Sequence, residues 1–304
     1  MREDDARLRA VVLGSAAGGG VPQWNCRCRV CMLARAAEQR VRPRTQVSVA
    51  VSADGVHWLV VGASPDLRQQ ILATGALTPR AGLRHSPITG VALLNADIDA
   101  IAGLLVLREA SPFRLFAPPP ILDGVRANPV FDVLDPDLVQ RVAVTPGQEV
   151  DCGHGLTLTM LPMPGKVPLY LEDRAAAAAA AGPTYAARLT AGGRRLLIAP
   201  ACADLTQPVR QMLRDADVVL FDGTLFEDDE MRTAGTGHKT GRRMGHVSMS
   251  GPDGALARLA DLPGRRIFIH INNTNPALIE DSPERRAVVA AGWEIAYDGM
   301  EIDA

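Results

Sequence analysis

The chain has no excess of charge of either sign: 32 basic residues stand against 34 acidic ones across 304 positions. Binding to nucleic acid or to an anionic membrane surface needs a basic footprint. Those partners are therefore not expected, and a small or peptidic one is. Long hydrophobic runs are missing too, since none approaches the roughly 20 residues that a membrane span requires. The segment from Met1 to Arg9 is charged rather than the apolar core of a signal peptide. A soluble, cytoplasmic protein is the expectation. Cysteine is scarce and odd in number, five in all, and three of the five crowd into Cys26, Cys28 and Cys31. That pattern argues against a disulfide framework and for metal ligation. No repeat of fixed period is present, which excludes solenoid architectures.

Strand and helix signals follow one another along the rest of the chain. Leu8 to Leu13 is a short apolar run, and the following Gly14-Ser-Ala-Ala-Gly-Gly-Gly20 can only be a tight loop with exposed backbone. Gln46 to Ser52 alternates polar and apolar residues, Asp54-Gly55 offers turn chemistry, and His57 to Val61 resumes the apolar run, which predicts a hairpin. Ser64-Pro65 supplies an N-cap and an N1 proline for a helix over Asp66 to Ala73. Further strands are expected at Thr89 to Leu94, Phe113 to Ala117, Leu156 to Leu161, Tyr185 to Leu189 and Arg195 to Ala199, with a helix over Ile101 to Glu109. From residue 204 the expected order is helix (Val209 to Ala216), strand (Val218 to Phe221), helix (Ala255 to Leu262), strand (Arg266 to Ile271), helix (Pro283 to Ala291) and strand (Trp293 to Tyr297). The alanine run Ala175 to Ala181 reads equally as a helical turn or a loop. Together these predict an α/β fold of two sheets packed face to face with helices outside.

Trp24-Asn-Cys26-Arg-Cys28-Arg-Val-Cys31 puts three soft ligands on one short segment after a glycine-rich turn. Tetrahedral sulfur coordination tolerates such spacing, so a structural Zn²⁺ is expected there, holding a loop without regular secondary structure. Arg27 and Arg29 offset part of the thiolate charge. Spacing does not supply the fourth ligand. Cys152 and Cys202 lie in apolar surroundings and read as core.

The strings Gly14-Ser-Ala-Ala-Gly-Gly-Gly-Val-Pro-Gln-Trp-Asn-Cys26-Arg-Cys28, Ala63-Ser-Pro-Asp66, Phe221-Asp-Gly-Thr224, Met244-Gly-His246 and His270-Ile-Asn-Asn-Thr-Asn-Pro276 resemble the coenzyme PQQ (pyrroloquinoline quinone) synthesis protein B family. The resemblance implies a metallo-β-lactamase-type αββα sandwich of two mixed sheets, one domain over residues 1–304, with the active site at the sheets' common edge. It implies a tyrosine-bearing intermediate, cut from a precursor peptide, as substrate with O₂, and an iron-dependent hydroxylase of the tyrosine ring. The other function implied is a non-catalytic binding or carrier protein for PQQ or its precursor. A homodimer is compatible with either. A related group, cyclic phosphodiesterases with a three-cysteine zinc loop, takes its fourth zinc ligand three positions beyond an active-site histidine; the matching position is Asn273, three beyond His270.

Members of this fold hold metals with H-x-H-x-D-H, a later histidine in a P-G-H loop, an aspartate and a final histidine. The corresponding residues are Asn95-Ala-Asp97-Ile-Asp99-Ala100, Lys166 in Pro164-Gly165-Lys166, Asp222 and His270. The first metal position therefore lacks its imidazoles, and two-zinc hydrolysis is not expected. What the resemblance implies is one Fe(II) at Asp97, Asp99, Asp222 and His270, with Ala100 standing where the family has histidine. His246, on a glycine-rich loop, is the candidate to compensate, as a general acid/base or a substrate contact. His238 shares that loop. His57, His85 and His154 lie near turns without ligand spacing and read as surface or structural. Asp66 suits a helix N-terminus. Arg42, Arg44, Arg242 and Arg243 either clamp substrate carboxylates or are merely solvated.

Overall fold

The structure is a computed structural model that describes residues 7–36, 40–166 and 184–304. The Ala175 to Ala181 run lies outside the described residues. Strands β1 (Arg9–Gly14), β2 (Ser48–Ser52), β3 (Trp58–Val61), β4 (Ile88–Ala92), β5 (Phe113–Ala117) and β6 (Val139–Ala143) form the first sheet. The second contains β7 (Glu149–Gly153), β8 (Leu156–Met163), β9 (Thr184–Ala191), β10 (Arg194–Ala199), β11 (Val218–Asp222), β12 (Arg265–Ile269) and β13 (Glu294–Ile295). A last strand, β14 (Glu301–Asp303), returns to pair with β1, so the first sheet reads β14-β1-β2-β3-β4-β5-β6 and the second β13-β12-β11-β10-β9-β8-β7. Each sheet begins antiparallel and continues parallel, from β3 onward in the first and from β10 onward in the second.

Period-2 alternation sorts the side chains of the second sheet into two layers. Leu196 and Ile198 of β10, Leu220 of β11 and Ile267 of β12 join the core that also holds Val49, Val60 and Val91 of the first sheet. Their neighbours Leu197, Val219, Phe221 and Phe268 pack in a separate outer cluster with Val209, Leu213, Val288 and Trp293. Trp293 stacks on Phe268 at 4.1 Å between ring centroids. The outer helices are α5 (Gln207–Arg214) and α9 (Pro283–Ala290), in a chain-order series with α1 (Arg29–Arg35), α2 (Leu67–Ala73), α3 (Ile98–Ile101), α4 (Pro119–Arg126), α6 (Glu230–Thr233), α7 (Gly241–Met244) and α8 (Ala255–Arg258). The αββα sandwich expected from the sequence is the one observed.

Several local expectations are corrected. Ser64 is not the cap of α2: Asp66 holds the N-cap position, and the Ser64 hydroxyl donates to Gln70 Oε1 instead. Asp66 makes no cap bond either, because its Oδ2 accepts from the Gln46 backbone N–H and side-chain amide. The helix expected over Ile101 to Glu109 is a 3₁₀ segment, Ala102–Arg108, continuing α3. Gly103 there permits close approach, since a Cβ would stand 2.2 Å from the Ser64 carbonyl oxygen. The helix over Ala255 to Leu262 is confined to Ala255–Arg258. Cys31 lies not in an irregular loop but on α1, with Cys28 at its N-cap.

The parallel strands place their carboxyl ends at one edge. Asp222 ends β11 in register with Ile269 of β12, His270 follows directly, and Asn95 to Ala100 follow β4. In open α/β sheets that edge is where ligands bind, because loops diverge there and leave a crevice.

Candidate metal centres

Two cavities meet at this edge and share Lys166, Met244, His246 and His270 as wall. The inner one, about 190 Å³, has Val47, Val61, Leu94 and Ile198 on its apolar side and Asp97 and Asp99 on its polar side. Ala100 also lines it, so the missing imidazole leaves open space rather than a filled wall. The outer one, about 610 Å³, runs along Gln23, Asn25, Arg27 and Asn272. The glycine loop after β1 closes against the inner site, where a Cβ on Gly18 would stand 3.2 Å from Asp99 Oδ2. Gly245 is left-handed at φ 84° and lets the Lys166 stem lie against it, bringing Lys166 beside His246.

A hydrogen-bond network fixes both histidines. The Thr224 hydroxyl lies 2.7 Å from Asp222 Oδ1, 3.0 Å from His246 Nδ1 and 2.8 Å from His270 Nδ1. It has one proton, and an ionised carboxylate only accepts, so that proton goes to Asp222. His270 Nδ1 must then carry its own proton to bond the threonine oxygen. His246 Nδ1 must do so too, since it sits 2.8 Å from Asp222 Oδ2. Both Nε2 atoms thereby face away from this network, and the proton that His270 Nε2 holds toward Asp99 is one a metal ion would displace; an outer carboxylate or hydroxyl on Nδ1 orients an imidazole ligand in this way. Asp222 is fully buried and accepts four bonds in all, the other two from the backbone N–H groups of Cys202 and Thr224. His270 Nε2 stands 3.6 Å from Asp99 Oδ2, and the His246 and His270 rings stack at 5.2 Å. His270 has φ 60°, a left-handed backbone that a non-glycine residue holds only when its surroundings impose it.

The electrostatics follow from burial and neighbours. Burial raises Asp97 above the usual carboxylate range, with the Asp99 charge adding to the rise and Lys166, His270 and His246 opposing it. Burial also works against Asp99 ionisation, but the His270 hydrogen bond and charge overcome it and pull Asp99 below the usual range. For His270 burial favours the neutral ring, yet Asp99, Asp222 and Asp97 together raise its pKa. The site carries a negative excess that a cation would neutralise.

Some 245 positions separate Cys28 from Asn273 along the chain, yet the two sit side by side. Cys26, Cys28 and Cys31 present sulfurs within 4.8 Å of one another. Asn273 places its side-chain amide 3.3 Å from Cys31 Sγ and 3.7 Å from Cys28 Sγ, and its carbonyl oxygen 3.2 Å from Cys28 Sγ. Backbone N–H groups of Gln23 and Cys28 donate to Cys31 and Cys26 sulfur. Burial raises the Cys28 thiol to about 12, while Cys26 is lowered despite burial by the Cys28 N–H and neighbouring side chains. Three thiols so close cannot all ionise without a cation, and a sulfur-rich tetrahedral set suits zinc. Arg35 braces the segment by donating to the carbonyl oxygens of Cys26, Gln23 and Trp24.

The β-lactamase superfamily domain profile matches residues 57–271, which spans both sheets. Coenzyme PQQ synthesis protein B of Methylobacterium nodulans is 56% identical, over 97% of this chain and 99% of that protein. The chain belongs to the coenzyme PQQ synthesis protein B family. A relative of the same name from Gluconacetobacter diazotrophicus is 51% identical over 96% of this chain and 98% of its own. The crystal structure of Zn²⁺-bound PqqB from Methylobacterium extorquens superposes with a TM-score of 0.93 at 52% identity, covering 97% of this chain and 100% of that one. A diphosphatase of the PhnP family shares the fold, with a TM-score of 0.71 at 20% identity over 98% of this chain and 97% of that one. The metallo-β-lactamase fold is thus the fold of this family member.

Asp97, Asp99, Asp222, His246 and His270 gather at one cleft, and the cysteines and Asn273 at another point beside it. None of Arg42, Arg44, Arg242 and Arg243 lines either of the two cavities. Arg44 is buried, its guanidinium donating to the carbonyl oxygens of Ala296 and Arg42, and Arg42 lies over the Tyr297 ring. Arg242 pairs with Asp253. Among the described residues, the cations lining the cavities are Lys166 and Arg27. Thr224 was missed although its motif was recognised, because a threonine after an aspartate carries no ligand signal. Cys152 and Cys202 are buried, as expected of core residues. No helix among the described residues is long and apolar enough to cross a membrane.

Glu230, buried next to the Met231 that lines the outer cavity, was also missed. Its Oε1 accepts from Thr274 and its Oε2 from the Phe226 N–H, both at 2.6 Å. Burial raises its pKa from 4.5 to about 7, with those two donors opposing the rise. The folded state therefore binds a proton between these values that the unfolded chain has released. Its contribution is full below pH 4.5 and is lost as pH rises through 7, about 3 kcal/mol in all. Glu230→Gln can keep both bonds, so urea midpoints at pH 5 and pH 8 are expected to lie closer together in the variant. An unchanged difference would remove Glu230 from this account.

Proposed function

We propose that this protein acts in coenzyme PQQ biosynthesis as an iron- and oxygen-dependent hydroxylase of a tyrosine-derived precursor. The observation that carries the reading is the pair of stacked imidazoles, His246 and His270, each held by Nδ1, with His270 Nε2 3.6 Å from Asp99 Oδ2. Two imidazoles and a carboxylate with open positions are the donor set of non-haem iron oxygenases. His246 thus supplies the imidazole that Ala100 does not. Asp97 adds a second carboxylate at the inner cavity, and Asp222 with Thr224 orients the two rings. Iron held there supplies the activation of oxygen.

The rest falls to the chain's own residues. The inner cavity accepts a flat apolar ring between Val47, Leu94 and Ile198, and its small volume excludes bulk water. Polar and charged parts of the precursor extend along the outer groove, where Arg27 and Lys166 meet carboxylates. Asp97, held above the usual carboxylate range, is placed to exchange a proton with a phenol in the inner cavity. Support also comes from 53% identity to coenzyme PQQ synthesis protein B of Methylorubrum extorquens over 97% of this chain.

The test is anaerobic Fe²⁺ titration followed by exposure to O₂ with a tyrosine-containing dipeptide. One Fe²⁺ per chain and a hydroxylated ring are expected. Absence of both, with the peptide or PQQ bound in equilibrium dialysis, would replace the hydroxylase by the binding or carrier function.

A further inference from the structure

At the amino ends of the parallel strands, opposite the cleft, the turn joining β2 to β3 meets the turn joining β7 to β8, with Ala53 Cβ 3.9 Å from where a Cβ on Gly155 would lie. Asp54 and His57 come from the first turn and His154 from the second. Asp54 Oδ1 accepts from the backbone N–H groups of Val56 and His57, both at 2.8 Å, and from the Ser52 hydroxyl at 3.1 Å. That fixes the carboxylate and leaves Oδ2 directed at the imidazoles. His57 Nδ1 lies 2.7 Å from Oδ2 and His154 Nδ1 4.0 Å from the same atom. The two rings stack face to face at 3.5 Å and 7°. Each imidazole in its neutral form has one ring nitrogen lone pair to give. His154 adopts φ 55° between Gly153 and Gly155, a turn backbone that carries its ring across to the other sheet.

We propose that Asp54, His57 and His154 form a second metal site, for one divalent ion of the nickel–zinc group, which staples the two sheets together. Three donors, two nitrogen and one oxygen, lie within 4.8 Å of one another, a set suited to those ions. Asp54, fixed by the turn N–H groups through Oδ1, offers Oδ2 as the oxygen donor. Ligation requires the rings to swing off parallel so that their lone pairs converge. They have room: the side chains of His57 and His154 are 37% and 43% exposed, which also gives the ion an entry path.

The test uses tag-free protein carrying a single zinc per chain, at the three cysteines, in equilibrium dialysis against NiCl₂. His270→Ala disables the cleft, and that variant is expected to retain one Ni²⁺ per chain. Adding His154→Asn, which tolerates the left-handed turn, is expected to weaken that binding at least about 100-fold, because a ligand is lost outright. Should His270→Ala fail to fold, the same loss of one Ni²⁺ equivalent is expected between the unmodified chain and His154→Asn alone. Nickel is further expected to raise the melting temperature of the unmodified chain more than that of His154→Asn. A retained equivalent in His270→Ala/His154→Asn, none in His270→Ala, or equal nickel counts in the unmodified chain and His154→Asn alone, would show a simple hydrogen-bonded histidine pair and overturn the site.

Discussion

Replacing His246 by alanine is expected to weaken Fe²⁺ binding by at least about 100-fold and to abolish oxygen-dependent hydroxylation. The ring is buried and its Nδ1 is tied to Asp222 at 2.8 Å, and alanine supplies neither that bond nor a nitrogen donor. Loss of an outer partner of a metal ligand costs roughly 10–100-fold, and loss of the ligand costs more. Asp222→Asn tests the layer behind it. The amide keeps the shape but cannot accept from all four donors, so hydroxylation is expected to fall about 10–100-fold with some iron binding retained. Ala100→His supplies the contrast. An added imidazole would stand in the inner cavity beside Asp97 and Asp99 and take volume from the substrate ring. If Ala100→His tightened iron while His246→Ala left it unchanged, the second imidazole would belong at position 100 and the role given to His246 would fall.

How far the sequence could be read depended on where each residue's neighbours come from. The interior strands β4, β5, β10, β11 and β12 were legible because burial on both faces makes short apolar runs. Of the four described edge strands only β13 was, within the strand expected over Trp293 to Tyr297. β6 and β7 are polar and half-exposed, as edge strands must be to avoid pairing with other chains, and β14 is a three-residue strand whose partner is at the other end of the chain. The helix α1 was hidden because the cysteine cluster dominated its pattern. Local motifs gave the ligand candidates at the cleft: Asp222 and His270 at the ends of β11 and β12, Asp97 and Asp99 in the segment after β4, and His246 after α7. Thr224 and Glu230 were invisible, because their importance rests on partners far along the chain: His270 for Thr224, and Thr274 for Glu230. The same holds for His57 and His154, read as unrelated turn residues until the packing of two sheets brought their rings face to face.

Replacing Cys28 by serine is expected to release the zinc and to lower the melting temperature by roughly 5–10 °C. Zinc held with a concentration a thousandfold above its dissociation constant contributes about 4 kcal/mol, and about 2 °C per kcal/mol is the scale for a chain of this size. The protein is not expected to unfold outright. Arg35 still clamps three carbonyls of the loop, and Val21 still bridges to Arg44, so the glycine loop keeps its place on the sheet. The damage should reach the cleft by a short path. Asn273 touches the Cys28 and Cys31 sulfurs and lies three positions beyond His270, whose left-handed backbone depends on a fixed following segment. Weaker substrate binding in the outer groove is therefore expected along with the loss of zinc, since Cys26, Cys28 and Asn273 form part of its wall. Metal analysis and a thermal melt on the untreated protein decide the matter. Protein that is zinc-free as purified and melts with Cys28→Ser would show that the three thiols hold the loop by hydrogen bonds alone.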